Sequence, residues 1–224
     1  MIFDYLAKNN IVNPNILIVL STIVCIVVPY LLGSLNFGVI WSKLIYKDDV
    51  RSHGSGNAGA TNMLRNYGKK AGIITLLGDI LKTVISCLFG ILVWATYGAY
   101  IAGLFCMMGH MFPVFFKFKG GKGVACLAAM VLVTDWRAFL FLFFVFVVIV
   151  LGTKFVSLGS VIGAMLYPVV LNRINPDVPF GWLIATIVAA LVVFMHRENI
   201  KRLLKGTENK ISLGSKKKKD NPEE

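Results

Sequence analysis

The polar stretch RSHGSGNAGATNMLRNYGKK, residues 51–70, holds side chains and glycines that could take part in chemistry. Glycine backbones can approach an anion closely and turn their N–H groups toward it as a nest. Arginine holds a phosphate through two parallel hydrogen bonds, and lysine adds a point charge. Glycine, serine, asparagine and both cations in one segment therefore indicate a site for a phosphate-bearing molecule.

Two further polar segments have the same kinds of residue, FKFKGGKGVA at 116–125 and HRENIKRLLKG at 196–206. The first contains GGKG, but Lys122 is followed by Gly123 where a P-loop has Ser or Thr, and this excludes ATP hydrolysis. The four cysteines lie in apolar runs without CxxC spacing, which favours neither a zinc site nor a disulfide framework. We expect no metal ion and no cofactor.

The elements that must position these segments are membrane helices. The 224 residues are 57% hydrophobic and 15% charged, and the mean hydropathy is +0.74. Apolar runs of this length exceed what one small soluble core can bury. The sequence therefore predicts an all-α integral membrane protein.

A helix that crosses the hydrocarbon core of a membrane needs roughly 20 apolar residues. We predict about seven transmembrane helices, of which the fourth and fifth are short; if these two were re-entrant or fused, five would remain. The candidates are Ile16–Trp41 (interrupted at Gly33), Ala71–Thr96, Ala99–Phe116, Val124–Thr134, Ala138–Leu151, Phe155–Leu171 and Phe180–Met195.

The distribution of cations orients these helices. If the amino terminus lies outside, the cytoplasmic loops and tail carry 19 of the 23 Lys and Arg residues. The positive-inside rule then predicts an N-out, C-in topology, with all three polar segments at the cytoplasmic face. The net charge of +12 is mainly this topology signal, with attraction to anionic membrane lipids at the terminal lysines. It calls for no nucleic-acid partner.

Simpler interpretations exist for each feature. Basic loops are expected on the cytoplasmic side of any such protein, and Ser55, Asn57, Thr61 and Asn62 could merely cap a helix that begins near Thr61. His196 closes an apolar run and could be an interfacial residue.

Asp79 and Lys82 lie three residues apart inside a predicted span. They could form a paired charge on one helical face or belong to a site, and we favour structural pairing.

Taken together, GSGNAGATNMLR, GHMFPVFFKFKGGKGVA (109–125) and HRENIKRLLKGTE (196–208) closely resemble the three signature motifs of the bacterial acyl-phosphate:glycerol-3-phosphate acyltransferase family. The resemblance covers about residues 25–210, in the right order and spacing. One departure is Asn36 in GSLNFG, where the family usually has proline.

The resemblance implies transfer of a fatty acyl group from acyl phosphate to the 1-hydroxyl of glycerol 3-phosphate, giving lysophosphatidic acid and phosphate in phospholipid biosynthesis. The implied partners are glycerol 3-phosphate, long-chain acyl phosphate, membrane lipids and the soluble enzyme that makes acyl phosphate. The matching residues imply catalytic roles for Ser55, His196 and Asn199, and substrate binding by Arg65, Lys122, Gly54, Gly56, Asn57, Thr61, Asn62, Gly120, Gly121, Gly123 and Ser160.

Acyltransferases that use thioester donors have a His and an Asp separated by four residues. None of His53, His110 and His196 is followed by Asp at that spacing, which favours the acyl-phosphate donor and leaves no evident His–carboxylate pair. The general base is then His196 or a phosphate oxygen of the substrate.

A transporter of an organic anion is the alternative function, although transporters place polar groups near the midplane of the membrane, unlike this chain. We predict one catalytic domain over residues 1–210 in the bacterial plasma membrane. A flexible, lysine-rich cytoplasmic tail is predicted over 211–224.

Overall fold

The computed structural model describes residues 2–9, 11–178 and 180–211, and all regular structure in those ranges is helical. The predicted all-α class is confirmed. Residues 212–224 of the predicted tail lie outside the described ranges. The α-helices within them are α1 (Ile2–Lys8), α2 (Pro14–Gly33), α3 (Phe37–Tyr46), α4 (Ala60–Met111), α5 (Val124–Thr134), α6 (Trp136–Thr153), α7 (Val156–Ile174), α8 (Gly181–Met195) and α9 (Arg197–Leu204).

The first apolar run forms two helices with a break between them, where the sequence predicted an interruption. α2 ends at Gly33, and α3 begins after a short gap and continues to Tyr46, beyond the predicted end of the span at Trp41. The side chain of Asn36 accepts a hydrogen bond from the N–H of Val39 at 3.3 Å and so caps α3. Asparagine is a favoured N-cap, which explains how the break forms here without proline.

α4 is a hairpin of two arms. Its backbone leaves helical geometry at Gly68, before the first arm, and again at residues 94–95, between the arms. Gly90 and Gly98, on either side of this turn, pack backbone against backbone, and a Cβ atom on one would overlap the carbonyl of the other. The arms 69–93 and 96–111 correspond to the second and third predicted spans.

The long helices account for most of the predicted membrane segments. In the part of the chain that the structure describes, four helical stretches are long and apolar enough to cross a membrane, with Ala60–Phe116 counted once, and α8 with α9 makes a fifth if this pair, bent by 59°, is one span. α5 has 11 residues and is too short to cross a ~30 Å core alone. All seven predicted segments are helical, and the number and direction of complete crossings stay predictions.

The main core lies where α4, α5, α7 and α8 meet, and Met107, Met130, Tyr167 and Val188 are buried there. Large apolar side chains remain exposed on the outside of the bundle, among them Phe144 at 66% exposure. Such extensive apolar surface suits contact with lipid. The three polar segments connect the helices at one end of this bundle.

Candidate active site

The glycine-rich segment folds around the side chain of Asn62, which is 2% exposed. The amide nitrogen donates to the carbonyls of Val50 and His53 at 2.9 and 3.0 Å. The amide oxygen accepts the N–H of Ser55 at 3.1 Å. Because both ends of the amide bond to the loop, the contribution of Asn62 is to fix the loop's shape.

Two glycines give this loop its sharp turns. Gly54 and Gly56 have φ angles of 56° and 68°, in the left-handed region that glycine adopts without strain, and Ser55 between them is exposed. The side chain of Asn57 accepts the N–H of Gly59 at 3.0 Å. Gly59 is the N-cap of α4, and no side chain caps that helix. The simpler interpretation of these polar side chains as helix caps is therefore wrong.

The second segment lies directly on His110. The N–H groups of Gly120 and Gly121 donate to the carbonyls of Met111 and His110 at 3.2 and 3.0 Å. A Cβ atom at Gly120 would overlap the His110 carbonyl, and one at Gly121 would overlap the His110 ring. The sequence predicted N–H groups facing an anion, whereas these two glycines act by allowing close approach. Gly123, with a φ of 77°, then turns the chain into α5.

The first and second segments are joined to each other. The guanidinium of Arg51 donates to the carbonyls of Phe116 and Lys119 at 2.8 and 3.1 Å. The N–H of Ala58 donates to the carbonyl of Gly120 at 3.5 Å. The predicted convergence of these two segments is present in the structure.

A hydrogen-bond network joins the second and third segments. The ammonium of Lys122 donates to the side-chain oxygen of Asn199. The amide nitrogen of Asn199 donates in turn to Glu208 at 2.7 Å, and the hydroxyl of Ser157 in α7 donates to the same carboxylate oxygen at 2.9 Å. Arg202 donates to the other oxygen of Glu208 at 2.8 Å. Lys122 and Asn199, two separately predicted site residues, are thus brought together in one network.

The cluster carries more positive than negative charge. Burial lowers the pKa of Lys122 to about 8; Glu208 opposes this shift, and the neighbouring Arg202 and Arg65 add to it. Burial raises the pKa of Glu208, but hydrogen bonds from Asn199, Arg202 and Ser157 outweigh it and lower the pKa overall. Three cations, Lys122, Arg65 and Arg202, therefore lie near one ionised carboxylate, which Arg202 contacts directly and Lys122 reaches through Asn199.

Arg65 is exposed and held by one long hydrogen bond, at 3.4 Å, to the carbonyl of Asn209. His196 is 2% exposed, and its Nδ1 lies 2.8 Å from the carbonyl of Val192. A carbonyl only accepts, so Nδ1 carries the ring proton and Nε2 has the free lone pair.

Two predicted residues stand apart from these contacts. The hydroxyl of Ser160 is buried and donates to the carbonyl of Val156 in its own helix at 2.9 Å. Thr61 is half-buried in the first turn of α4.

Sequence reasoning missed three residues of the network, Ser157, Arg202 and Glu208. Arg202 and Glu208 lie within the third motif, and their opposite charges were a signal that could have found them. Ser157 had no such signal, because a serine in an apolar helix is usually bonded to its own backbone.

The expected absence of a His–carboxylate pair needs correction. His53 Nε2 lies 2.6 Å from Asp48, and the hydroxyl of Tyr67 donates to the same oxygen at 2.6 Å. His110 also lies 3.3 Å from Asp79. The search was for Asp after His, whereas Asp48 precedes His53 by five residues and Asp79 comes from the other arm of α4.

The fold and this cluster define a class, an all-helical integral membrane protein whose polar groups from three segments meet at one end of an apolar bundle. The family model described as glycerol-3-phosphate acyltransferase matches residues 23–206. The chain belongs to this family. The transporter alternative gives way to an enzyme class, glycerol-3-phosphate acyltransferase.

Similar proteins agree with this assignment. The chain is 40% identical over 188 residues to glycerol-3-phosphate acyltransferase of Finegoldia magna, covering 83% of this chain and 93% of the relative. It is 42% identical to glycerol-3-phosphate acyltransferase 2 of Bacillus anthracis, covering 84% and 98%.

Two crystal structures of PlsY (YgiH), an integral membrane glycerol 3-phosphate acyltransferase, have the same fold. The glycerol 3-phosphate form is similar with a TM-score of 0.80 and 38% identity, and the lysophosphatidic acid form with a TM-score of 0.77 and 37% identity. Each match covers 86% of this chain and 96% of the solved chain.

Proposed function

We propose that this protein transfers a fatty acyl group from acyl phosphate to the 1-hydroxyl of glycerol 3-phosphate and releases lysophosphatidic acid and inorganic phosphate. The observation that carries the proposal is the grouping of Lys122, Arg65 and Arg202 near the carboxylate of Glu208, which Arg202 contacts directly. An excess of positive charge suits anions, and both substrates carry a phosphate. The solved relatives named for glycerol 3-phosphate and lysophosphatidic acid support the same acceptor and product.

In the proposed reaction the acceptor hydroxyl attacks the carbonyl carbon of acyl phosphate. A C–O ester bond forms, the C–O bond to phosphate breaks, and the hydroxyl proton ends on the released phosphate. Arg65 and Lys122 bind phosphate, because Arg65 is exposed and weakly held and Lys122 is a half-buried cation near other cations. Ser55, exposed between two glycines, donates a hydrogen bond to a phosphate or to the acyl carbonyl.

The remaining proposed residues of the site act on these groups. Asn199 holds the ammonium of Lys122 in place. The free Nε2 of His196 can accept the acceptor proton, and a phosphate oxygen of the substrate is the alternative base. The remaining proposed binding residues line or shape the substrate site, and Asn62, Gly120 and Gly121 act by shaping it: Gly54, Gly56, Asn57, Thr61, Asn62, Gly120, Gly121, Gly123 and Ser160.

An apolar groove of about 150 Å³ between α6 and the chain that follows the third segment supports an alkyl substrate. It is lined by Phe146, Val150, Lys154 and Ile211, among others. The N–H of Ile211 donates to the carbonyl of Lys154 at 2.8 Å, so the chain that carries Glu208 runs along its edge. We propose that the acyl chain enters here from the membrane.

The proposed location is the bacterial plasma membrane, with the site facing the cytoplasm. The cation-rich loops support this orientation. The relatives come from bacteria, which supports a bacterial membrane. A soluble enzyme that makes acyl phosphate would then deliver the donor to this face.

The test is an assay of the purified protein in detergent with palmitoyl phosphate and labelled glycerol 3-phosphate. We expect lysophosphatidic acid and phosphate in equal amounts, and no reaction without the acceptor. Intact-mass measurement after incubation with palmitoyl phosphate alone should show no acyl-protein adduct, because among the described residues the Ser55 hydroxyl is not hydrogen-bonded to a side-chain base, and the nearby His53 is paired with Asp48. Absence of product would overturn the proposed function. A stoichiometric adduct that is lost in Ser55→Ala would overturn direct transfer.

A further inference from the structure

A buried charge cluster lies inside the bundle, away from the loops. Asp79 and Lys82 are one helical turn apart in the first arm of α4, and His110 comes from the second arm. Their residues are 1%, 4% and 3% exposed. Buried charges are costly in a membrane protein unless they are fully partnered, and they then usually serve a purpose beyond stability.

Lys82 is fully partnered. Its ammonium donates to the carbonyls of Gly33 and Leu35, each at 2.9 Å, at the break between α2 and α3. It also lies 3.0 Å from His110 Nδ1 and 2.8 Å from an oxygen of Asp79. The geometry at Asp79 makes this an ion pair without a directed hydrogen bond. Two ammonium protons thus serve the two carbonyls, and the third faces both the Asp79 oxygen and His110 Nδ1, which lie 3.3 Å from each other.

His110 connects this buried cluster to the second polar segment through direct contacts. Its carbonyl accepts the N–H of Gly121 at 3.0 Å and the side-chain amide of Asn36 at 3.5 Å. Its ring lies so close to Gly121 that a Cβ atom there would overlap Nε2. Lys122 follows directly, so its backbone position is fixed on one side by the ring and carbonyl of His110.

We infer that Asp79, Lys82 and His110 are positioning residues that hold the Gly120–Gly121 backbone where the ammonium of Lys122 meets substrate phosphate. The inference rests on the proposed phosphate role of Lys122. Lys82 fixes the ring of His110 and the break between α2 and α3 at once, so the cluster ties the first span to the second segment. Asp79 supplies the opposite charge that keeps the ammonium stable in the bundle.

A double-mutant cycle on donor-free binding tests this inference. Equilibrium binding of labelled glycerol 3-phosphate is measured for the wild type, His110→Ala, Lys122→Ala and the double variant, each as monodisperse protein in detergent. We expect His110→Ala to raise Kd about tenfold, and to raise it less than about twofold when Lys122 is already alanine, because residues that act through each other are not additive.

Two more variants separate positioning from folding. His110→Gln retains an acceptor for Lys82 and should lie closer to the wild type than His110→Ala. Tyr100→Leu alters a buried side chain of the main core at the opposite end of the second arm of α4 from His110; it should lower thermal stability and leave Kd unchanged. If His110→Ala does not fold, the cycle is run with Lys82→Met combined with Asp79→Asn, which removes both charges together.

The outcomes have distinct meanings. Additive effects of His110→Ala and Lys122→Ala, or lowered stability of His110→Ala with a wild-type Kd, would overturn the positioning role and leave the proposed function intact. A wild-type Kd in Lys122→Ala would overturn the phosphate role of Lys122 and this inference with it. Failure of the proposed donor reaction shows separately, because these binding measurements contain no donor.

Discussion

Arg65 is the residue at which the chemistry of a single side chain is easiest to isolate. It is exposed and makes one hydrogen bond at 3.4 Å, so its guanidinium is available for a substrate. A planar fork binds two phosphate oxygens at once, and the point charge of lysine cannot reproduce this. We expect Arg65→Lys to lower kcat/KM for glycerol 3-phosphate by about tenfold or more, measured by steady-state kinetics.

The matched control is Lys69→Gln, which removes an exposed cation four residues further along the same segment. It should leave kcat/KM within about twofold, because exposed charges outside a site act weakly at physiological salt. Equal losses in both variants would mean that the segment acts only through its overall charge.

The proposed phosphate-binding role of the Lys122 side chain can be tested by the pH dependence of the reaction. Its pKa is lowered by burial to about 8, so the ammonium loses its proton well below the usual range for lysine. If the charged form binds phosphate, as proposed, KM for glycerol 3-phosphate should rise as the pH increases through about 8.

Lys122→Arg serves as the control for that profile, because arginine stays charged throughout this pH range. The rise in KM near pH 8 should disappear in this variant, even if its KM at neutral pH is higher. A wild-type KM that stays constant from pH 7 to 10 would show that the charge of Lys122 is not needed for binding.

At the scale of the elements, the helices fix which segments can meet. The hairpin of α4 returns the chain to the end where it began, and Gly90 and Gly98 permit this by packing backbone against backbone. α5 and α6 then lead to α7, whose Ser157 reaches Glu208. Three polar segments far apart in sequence therefore come to one end of the bundle.

The direction of these elements gives a topological prediction. The four natural cysteines are buried, so a single added cysteine can be labelled against a low background. An impermeant maleimide applied to intact cells should label Asn9→Cys and should not label a cysteine appended after Glu224, whereas permeabilised cells should label both. Labelling of the appended cysteine in intact cells would reverse the predicted orientation.

Much of this arrangement could be predicted from sequence, because apolar runs form helices and glycines interrupt them through local effects. The break after Gly33 and the helical segments are examples. The ties between segments could not be predicted. That Glu208 gathers Ser157, Asn199 and Arg202 depends on how α7 and α9 pack, which no local pattern specifies.

The sequence alone also could not predict the role of Gly120 and Gly121 or the partner of His53. The sequence shows two adjacent glycines, but only the packing against His110 shows that they are needed for close approach. Likewise, Asp48 and His53 form a pair only because the loop after α3 turns back on itself.

For the whole molecule, an apolar bundle with cations gathered at one end matches two substrates of opposite solubility. In the proposed reaction, glycerol 3-phosphate reaches the charged end from water, and the acyl chain reaches it from lipid. Holding both together lets positioning and preorganised charge supply most of the acceleration. The leaving group of acyl phosphate is itself a phosphate, which the cationic cluster can stabilise as it departs.

The most direct measurement therefore compares turnover with different acyl donors that all carry the same palmitoyl chain. Purified protein is given labelled glycerol 3-phosphate with palmitoyl phosphate, palmitoyl-CoA or palmitoyl-acyl carrier protein, and lysophosphatidic acid is quantified over time. We predict turnover with palmitoyl phosphate alone, because only this donor places a phosphate at the reacting carbonyl, where the cations around Lys122 can bind it. Comparable turnover with either thioester would contradict the account.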